Sequence, residues 1–181
     1  MQGPNKLLQP WKQGTVVGAV VQTLIACCPD VVVVVGHQAD AVREAVKPAK
    51  TAYNQDYALG LGGSIAVGVE ACPDATGYLM VLADMPDLDP AVVRGLLDAF
   101  AGADSDAIVG PVYASEPHRL GHPILFGSDY RAELLALRGD QGARSIIQRH
   151  GERLLHVPSP AKLDDLDRPE DFTRARRVAD R

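Results

Sequence analysis

The sequence predicts an α/β protein of three layers, a doubly wound and mostly parallel sheet covered by helices on both faces. Three observations carry this. Apolar runs of strand length alternate with stretches of helical length, the pattern of a sheet built from crossover units. Residues 31–35 are five valines in a row, which reads as a strand buried on both faces. The chain has 181 residues, 46% hydrophobic and 23% charged, ordinary values for one domain with a full core, here taken as 1–181.

Taken in order, residues 15–28 have helical length and Pro29-Asp30 closes them. The valine strand ends in a Gly36-His37-Gln38 turn, and 39–46 reads as a short helix with Asp40, Arg43, Glu44 and Lys47 toward solvent. Residues 51–54 are a weak strand candidate. Residues 60–64 form a glycine-rich loop that feeds a helix over 65–72. Residues 77–83 are a second buried strand, stopped by Asp84-Met85-Pro86. Asp89 as a cap and Pro90 at the first helical position start a helix that runs through Phe100. Strands are expected at 106–112, 123–126 and 153–157, and helices at 128–137, 140–150 and 169–178. Residues 114–120 are expected to be a mobile loop.

The net charge of -5 gives no broad electrostatic case for nucleic acid as a partner. The three cysteines, Cys27, Cys28 and Cys72, form neither a disulfide framework nor a CxxC pair, and read as buried reduced thiols. The first thirteen residues lack the apolar core of a secretory leader, and no apolar stretch approaches the roughly 20 residues of a membrane helix. A cytoplasmic protein, without membrane or nucleic-acid partners, is expected.

In open α/β sheets ligands bind beyond the carboxyl ends of the strands, which gives weight to residues just after a buried strand. Asp84 is such a residue. An isolated carboxylate there can hold Mg²⁺, which takes one or two protein carboxylates plus substrate phosphate oxygens; it can equally be a turn aspartate. Asp164, Asp165 and Asp167 precede a helix start and are either caps or a second source of metal ligand. Lys6, after Gly3-Pro4-Asn5, can pair with a phosphate as a point charge. Gly62-Gly63-Ser64 could offer backbone N–H groups to an anion or a base edge, or form a flexible turn with Ser64 as a cap. This is neither GxGxxG nor a P-loop. His37, His118 and His122 lack the spacing of a zinc site, and Ser64 lacks the GxSxG context of a hydrolase.

Several segments, in order over nearly the whole chain, resemble the MobA-like NTP transferase family. They are Met1-Gln-Gly-Pro-Asn-Lys6-Leu-Leu, Val33-Val-Val-Gly36-His37, Asn54-Gln-Asp-Tyr57-Ala-Leu-Gly60, Gly62-Gly-Ser64, Leu82-Ala-Asp84-Met-Pro86, Gly121-His-Pro123, Gly139-Asp-Gln-Gly-Ala-Arg144 and Asp165-Leu-Asp167-Arg-Pro-Glu-Asp171. The resemblance is strongest to the molybdenum cofactor cytidylyltransferase branch. It implies a Rossmann-like nucleotidyltransferase fold and transfer of a nucleoside monophosphate, CMP from CTP, to a phosphorylated molybdopterin-type acceptor, with pyrophosphate released. It implies Lys6 on the triphosphate, Asp84 and Asp167 on Mg²⁺, and Gly62, Gly63 and Ser64 near base and ribose. It also implies His37, His122 and Arg144 toward the acceptor, and a molybdoenzyme or chaperone as a further partner. A non-catalytic cofactor-binding or insertion protein, or a family member with another donor or acceptor, is the alternative.

Two departures stand out. Family members carry a Leu-Ala-Ala-Gly-x-x-x-Arg segment before the one that opens this chain, so the fold is expected here without its first strand, leaving unpaired edges. Gly62-Gly63 stands where the cytidylyltransferase branch often has serines, which leaves the donor base open.

Overall fold

The computed structural model describes residues 5–113 and 116–159, the segment 116–119 by its backbone alone. The expected helix at 169–178 and the carboxylates Asp164, Asp165 and Asp167 lie outside the described residues.

The described chain enters through a 3-10 turn, Lys6–Leu8, and a short hairpin of β1 (Pro10–Trp11) and β2 (Gly14–Thr15). Lys12 sits at the hairpin tip with φ 49°, and Trp11 is buried against Val16 and Ala19. Helix α1 (Val16–Ile25) begins where the Thr15 hydroxyl accepts from Gly18 N at 3.1 Å, satisfying one of the orphan donors of the first turn.

β3 (Val32–Val35), α2 (Ala39–Ala45) and β4 (Lys50–Tyr53) make a crossover unit, with β3 and β4 parallel and in register from Val32 opposite Lys50 to Val35 opposite Tyr53. Among the described residues β3 pairs with β4 alone. Val35 is fully buried, in one cluster with Val17, Val21, Val42 and Val46, whereas Val32, Val33 and Val34 are half-buried. The valine run is therefore a strand, but burial on both faces holds only at its carboxyl end.

Helix α3 (Leu61–Glu70) leads to β5 (Gly77–Met80), and α4 (Pro90–Ala101) starts as the sequence predicts, with the Asp89 carboxylate accepting from Ala91 N at 2.8 Å. The main sheet has β5, β8 (Ile124–Gly127), β6 (Ile108–Tyr113) and β7 (Glu116–Leu120) in that order. β9 (Leu154–Ser159) runs parallel along the whole of β6, so β8 and β7 share the other edge, at the start and end of β6 respectively.

The sheet is thus mixed where the alternation suggested mostly parallel pairing. The connections from β6 to β7 and from β7 to β8 are too short for a crossover, and short returns make antiparallel neighbours. The stretch expected as a mobile loop at 114–120 includes β7, which pairs with β6 through Val112 opposite Leu120 and Tyr113 opposite Glu116.

The layers follow from the alternation of side chains along β6 and β8. Ile108 and Phe126 point to one face, packed with Val69 of α3, Tyr130, Leu134 of α5 (Arg131–Leu135) and Ile146 of α6 (Arg144–Arg149). Val109 and Leu125 point to the other, packed with Val92 and Leu96 of α4. This is the three-layer α/β build the sequence predicts.

Candidate functional site

Lys6 and Asp84 meet. The lysine Nζ lies 2.5 Å from Asp84 Oδ2, with 46% of the lysine side chain and 15% of the aspartate side chain exposed. Local chemistry fixes both ends. Asn5 caps the 3-10 turn, its Oδ1 accepting from Leu7 N at 3.1 Å, and Leu7 and Leu8 pack into the valine cluster of β3 and α1. β5 stops at Met80, and Asp84 sits in the turn beyond it. Ala83 packs into that same valine cluster, and Met85 is 1% exposed. Asp84 is therefore held between two anchored neighbours. A second ion pair, Lys12 Nζ to Asp87 Oδ1 at 3.2 Å, joins the same two segments.

The turn after β3 is anchored in the same apolar cluster. Val35 and Ala39, which bracket Gly36, His37 and Gln38, belong to the cluster that holds Leu7 and Ala83. His37 is exposed, with its ring 6.1 Å from that of Tyr57.

The glycine segment is arranged differently from the expected loop. Gly62, Gly63 and Ser64 lie inside the first turn of α3, which starts at Leu61 rather than at residue 65. Gly60, at φ 117°, takes the place of the cap. Gly62 is buried, and its N–H donates to Gly139 O at 2.8 Å. A Cβ at Gly62 would come within 2.7 Å of Arg138 N and 2.8 Å of Gln141 O. Backbone contact thus locks the start of α3 to the 138–142 loop. Ser64 Oγ accepts from Asn54 Nδ2 at 3.0 Å, while Gly63 keeps ordinary space around it.

Asn54, within the Asn54–Gly60 segment of the family resemblance, carries no mark in the sequence of the part it plays here. It is 4% exposed; its Oδ1 accepts from Asp56 N at 3.0 Å and its own N–H donates to Val35 O at 2.9 Å. One buried amide thereby ties the end of β3, the 55–60 turn and α3 together.

Of the residues expected toward an acceptor, His122 is half-buried, with its carbonyl accepting from Tyr113 Oη at 2.7 Å. Arg144 is exposed at the first position of α6, directly after the loop that Gly62 engages. Among the described residues no group of three or more His, Cys, Asp or Glu side chains gathers as a metal cage. A lone, mostly buried carboxylate beside a lysine does fit a hard cation that takes most of its ligands from phosphate oxygens and water.

Lys6 and Asp84 thus meet beyond the carboxyl end of β5, the side of an open α/β sheet on which ligands bind. The chain belongs to the MobA-like NTP transferase domain family, a nucleotidyltransferase family, whose match spans residues 1–154. It is 31% identical to nicotine blue oxidoreductase of Paenarthrobacter nicotinovorans over 153 residues, 82% of this chain and 74% of that protein. It is 23% identical to molybdenum cofactor cytidylyltransferase of Escherichia coli (strain K12) over 177 residues, 96% of this chain and 88% of that one. The fold matches that of Rv0371c from Mycobacterium tuberculosis H37Rv, solved as a complex with manganese, at a TM-score of 0.76 and 27% identity. That match covers 93% of this chain and 89% of the other.

Proposed function

We propose that the protein transfers a nucleoside monophosphate, CMP from CTP, to a phosphorylated acceptor of molybdopterin type, and releases pyrophosphate. The observation that carries this is the Lys6–Asp84 pair at 2.5 Å, in a chain of an NTP transferase family. Asp84 would hold Mg²⁺, with Asp167 as a second ligand, and the ion would neutralise charge on the triphosphate. Lys6 would leave Asp84 for a triphosphate oxygen, so that the pair is the resting form of a site for a metal–nucleotide complex.

The acceptor phosphate is already an anion and needs no general base. One of its oxygens forms a bond to the α-phosphorus as the bond from that phosphorus to the bridging oxygen breaks, and pyrophosphate leaves. The protein's part is to place two anions in line and offset their repulsion. Gly63, the less crowded of the two glycines at the start of α3, is the member of the Gly62, Gly63 and Ser64 set best able to meet the base. The other two act by holding the helix in place. His37, His122 and Arg144 would line the acceptor side.

The reading takes 1–181 as one domain of a cytoplasmic enzyme that hands its product to a molybdoenzyme or chaperone. No helix among the described residues is long and apolar enough to cross a membrane.

The test is pyrophosphate release with Mg²⁺, purified molybdenum cofactor and CTP, GTP or ATP in turn. Release with CTP supports the reading, and release with another nucleotide keeps the chemistry but changes the donor. Cofactor binding without release from any nucleotide would favour the non-catalytic binding protein. The 31% identity to nicotine blue oxidoreductase favours a second reading, a redox enzyme. Redox turnover of nicotine blue in place of pyrophosphate release would support it.

A further inference from the structure

Among the described residues, the exposed large hydrophobic side chains are Ile25, Tyr53, Tyr57, Leu59, Leu61 and Leu155, and four of these six fall between 53 and 61. Apolar residues scattered singly on a surface need no explanation, whereas these four follow one another along one short segment. This segment runs from the end of β4 to the start of α3, beside the turn that carries Gly36 and His37.

Tyr57 is the centre of the cluster. It begins a 3-10 turn, Tyr57–Leu59, and is 42% exposed. A Cβ on Gly36 would overlap the Tyr57 Cβ and ring, so the root of the tyrosine lies on bare glycine backbone. The His37 ring flanks it with the centroids 6.1 Å apart and the planes tilted by 50°. An exposed aromatic ring is ordinarily free to swing. This one is fixed at its root by a glycine 21 positions earlier in the chain, and its outer part stays open. Fixed, open aromatic faces favour flat partners through stacking. The valine cluster that seats Lys6 and Asp84, through Leu7 and Ala83, also seats the residues on either side of the Gly36 turn.

We infer that Tyr57, braced on Gly36 and flanked by His37, is a stacking platform for a planar heteroaromatic ring of a substrate bound at the Lys6–Asp84 site. The inference rests on the nucleotidyl-transfer reading and deepens it. Lys6 and Asp84 deal with phosphate charge and cannot tell one substrate from another, whereas Tyr57 selects for a flat ring. Both the donor base and a pterin-type acceptor carry one.

The test titrates the full chain and its Y57F and Y57L variants with CTP, with a water-soluble pterin and with inorganic triphosphate, each by calorimetry. Pyrophosphate release is followed in parallel. The Y57L variant is expected to bind one ring ligand about tenfold more weakly, the Y57F variant as the unaltered protein does, and inorganic triphosphate equally in all three. A loss confined to CTP identifies the donor base as the stacked ring, and a loss confined to the pterin identifies the acceptor. Unchanged affinity of Y57L for both ring ligands, an equal loss for inorganic triphosphate, or no ring binding by the unaltered chain overturns the platform. Ring binding that depends on Tyr57 without any pyrophosphate release keeps the platform and overturns the transferase reading. Release with unchanged KM values in Y57L does the reverse.

Discussion

Lys6 Nζ lies 2.5 Å from Asp84 Oδ2 although 78 residues separate them in the chain. Each is seated by apolar neighbours and not by the other. Breaking the pair should therefore affect chemistry far more than stability. Asp84→Ala is expected to lower the rate of pyrophosphate release by about a hundredfold or more. The cost in stability should stay within about 1 kcal/mol, because the lysine is half exposed. Steady-state kinetics and a thermal melt check both halves; full activity in the variant would refute the site.

The lock between Gly62 and the 138–142 loop leads to a second expectation. Gly62→Ala places a methyl group against backbone atoms that cannot turn aside, since the nearest is Arg138 N at 2.7 Å. The helix start or the loop must shift, at a cost of about 1–3 kcal/mol. Gly63→Ala meets nothing closer than Asn54 Nδ2 at 3.7 Å and should be close to neutral for stability. Urea denaturation of the two variants side by side checks this, and equal stabilities would sink the account.

Much of the fold was legible because its signals are local. The valine run, the Asp89-Pro90 helix start and the strand before Asp84 each announce themselves within a few residues. The start of α3 was not legible. Three glycines within four residues oppose a helix by propensity, and it takes the φ of 117° at Gly60 and the contact of both Gly60 and Gly62 with a loop some 77 positions away to explain why they are needed there. β7 was hidden for a related reason, since its pairing to β6 is made by backbone and leaves no apolar alternation to read. In the candidate site, Lys6 and Asp84 could be picked out singly but their meeting could not. Asn54 and Tyr57 carried no signal beyond the resemblance, because the partners that define them, Ser64 and Gly36, count only once the chain has folded.

Asn54 offers a third test. Its side chain is buried and uses both ends, donating to Ser64 Oγ and accepting from Asp56 N. Asn54→Ala strands both partners and is expected to cost about 1–3 kcal/mol. Asn54→Asp keeps the acceptor but loses the amide donor to Ser64, and it buries a charge. Chemical denaturation should place alanine and aspartate both below the native chain, and a variant as stable as the original would show that the amide does not hold α3.

The clasp between α5 and α6 gives a pH-dependent expectation. Glu133 Oε2 accepts from Arg149, and Glu133 Oε1 lies 2.8 Å from His150 Nε2, whose ring packs edge-on against Tyr130 at 5.2 Å. The Arg149 hydrogen bond, helped by His150 and opposed by partial burial, holds the Glu133 carboxyl below its ordinary value. A carboxyl whose folded value is depressed binds its proton more readily when unfolded. Its contribution is therefore present above the ordinary glutamate value of about 4.3 and is lost as pH falls through the lower folded value. Glu133 is a third exposed, so water screens the pair and the contribution at neutral pH should be no more than about 1 kcal/mol. Glu133→Gln should melt lower than the native chain at pH 7, and the two should converge as the pH approaches 3. Thermal melts across that range decide it: a constant gap at every pH would mean that packing, and not the carboxylate charge, joins the two helices.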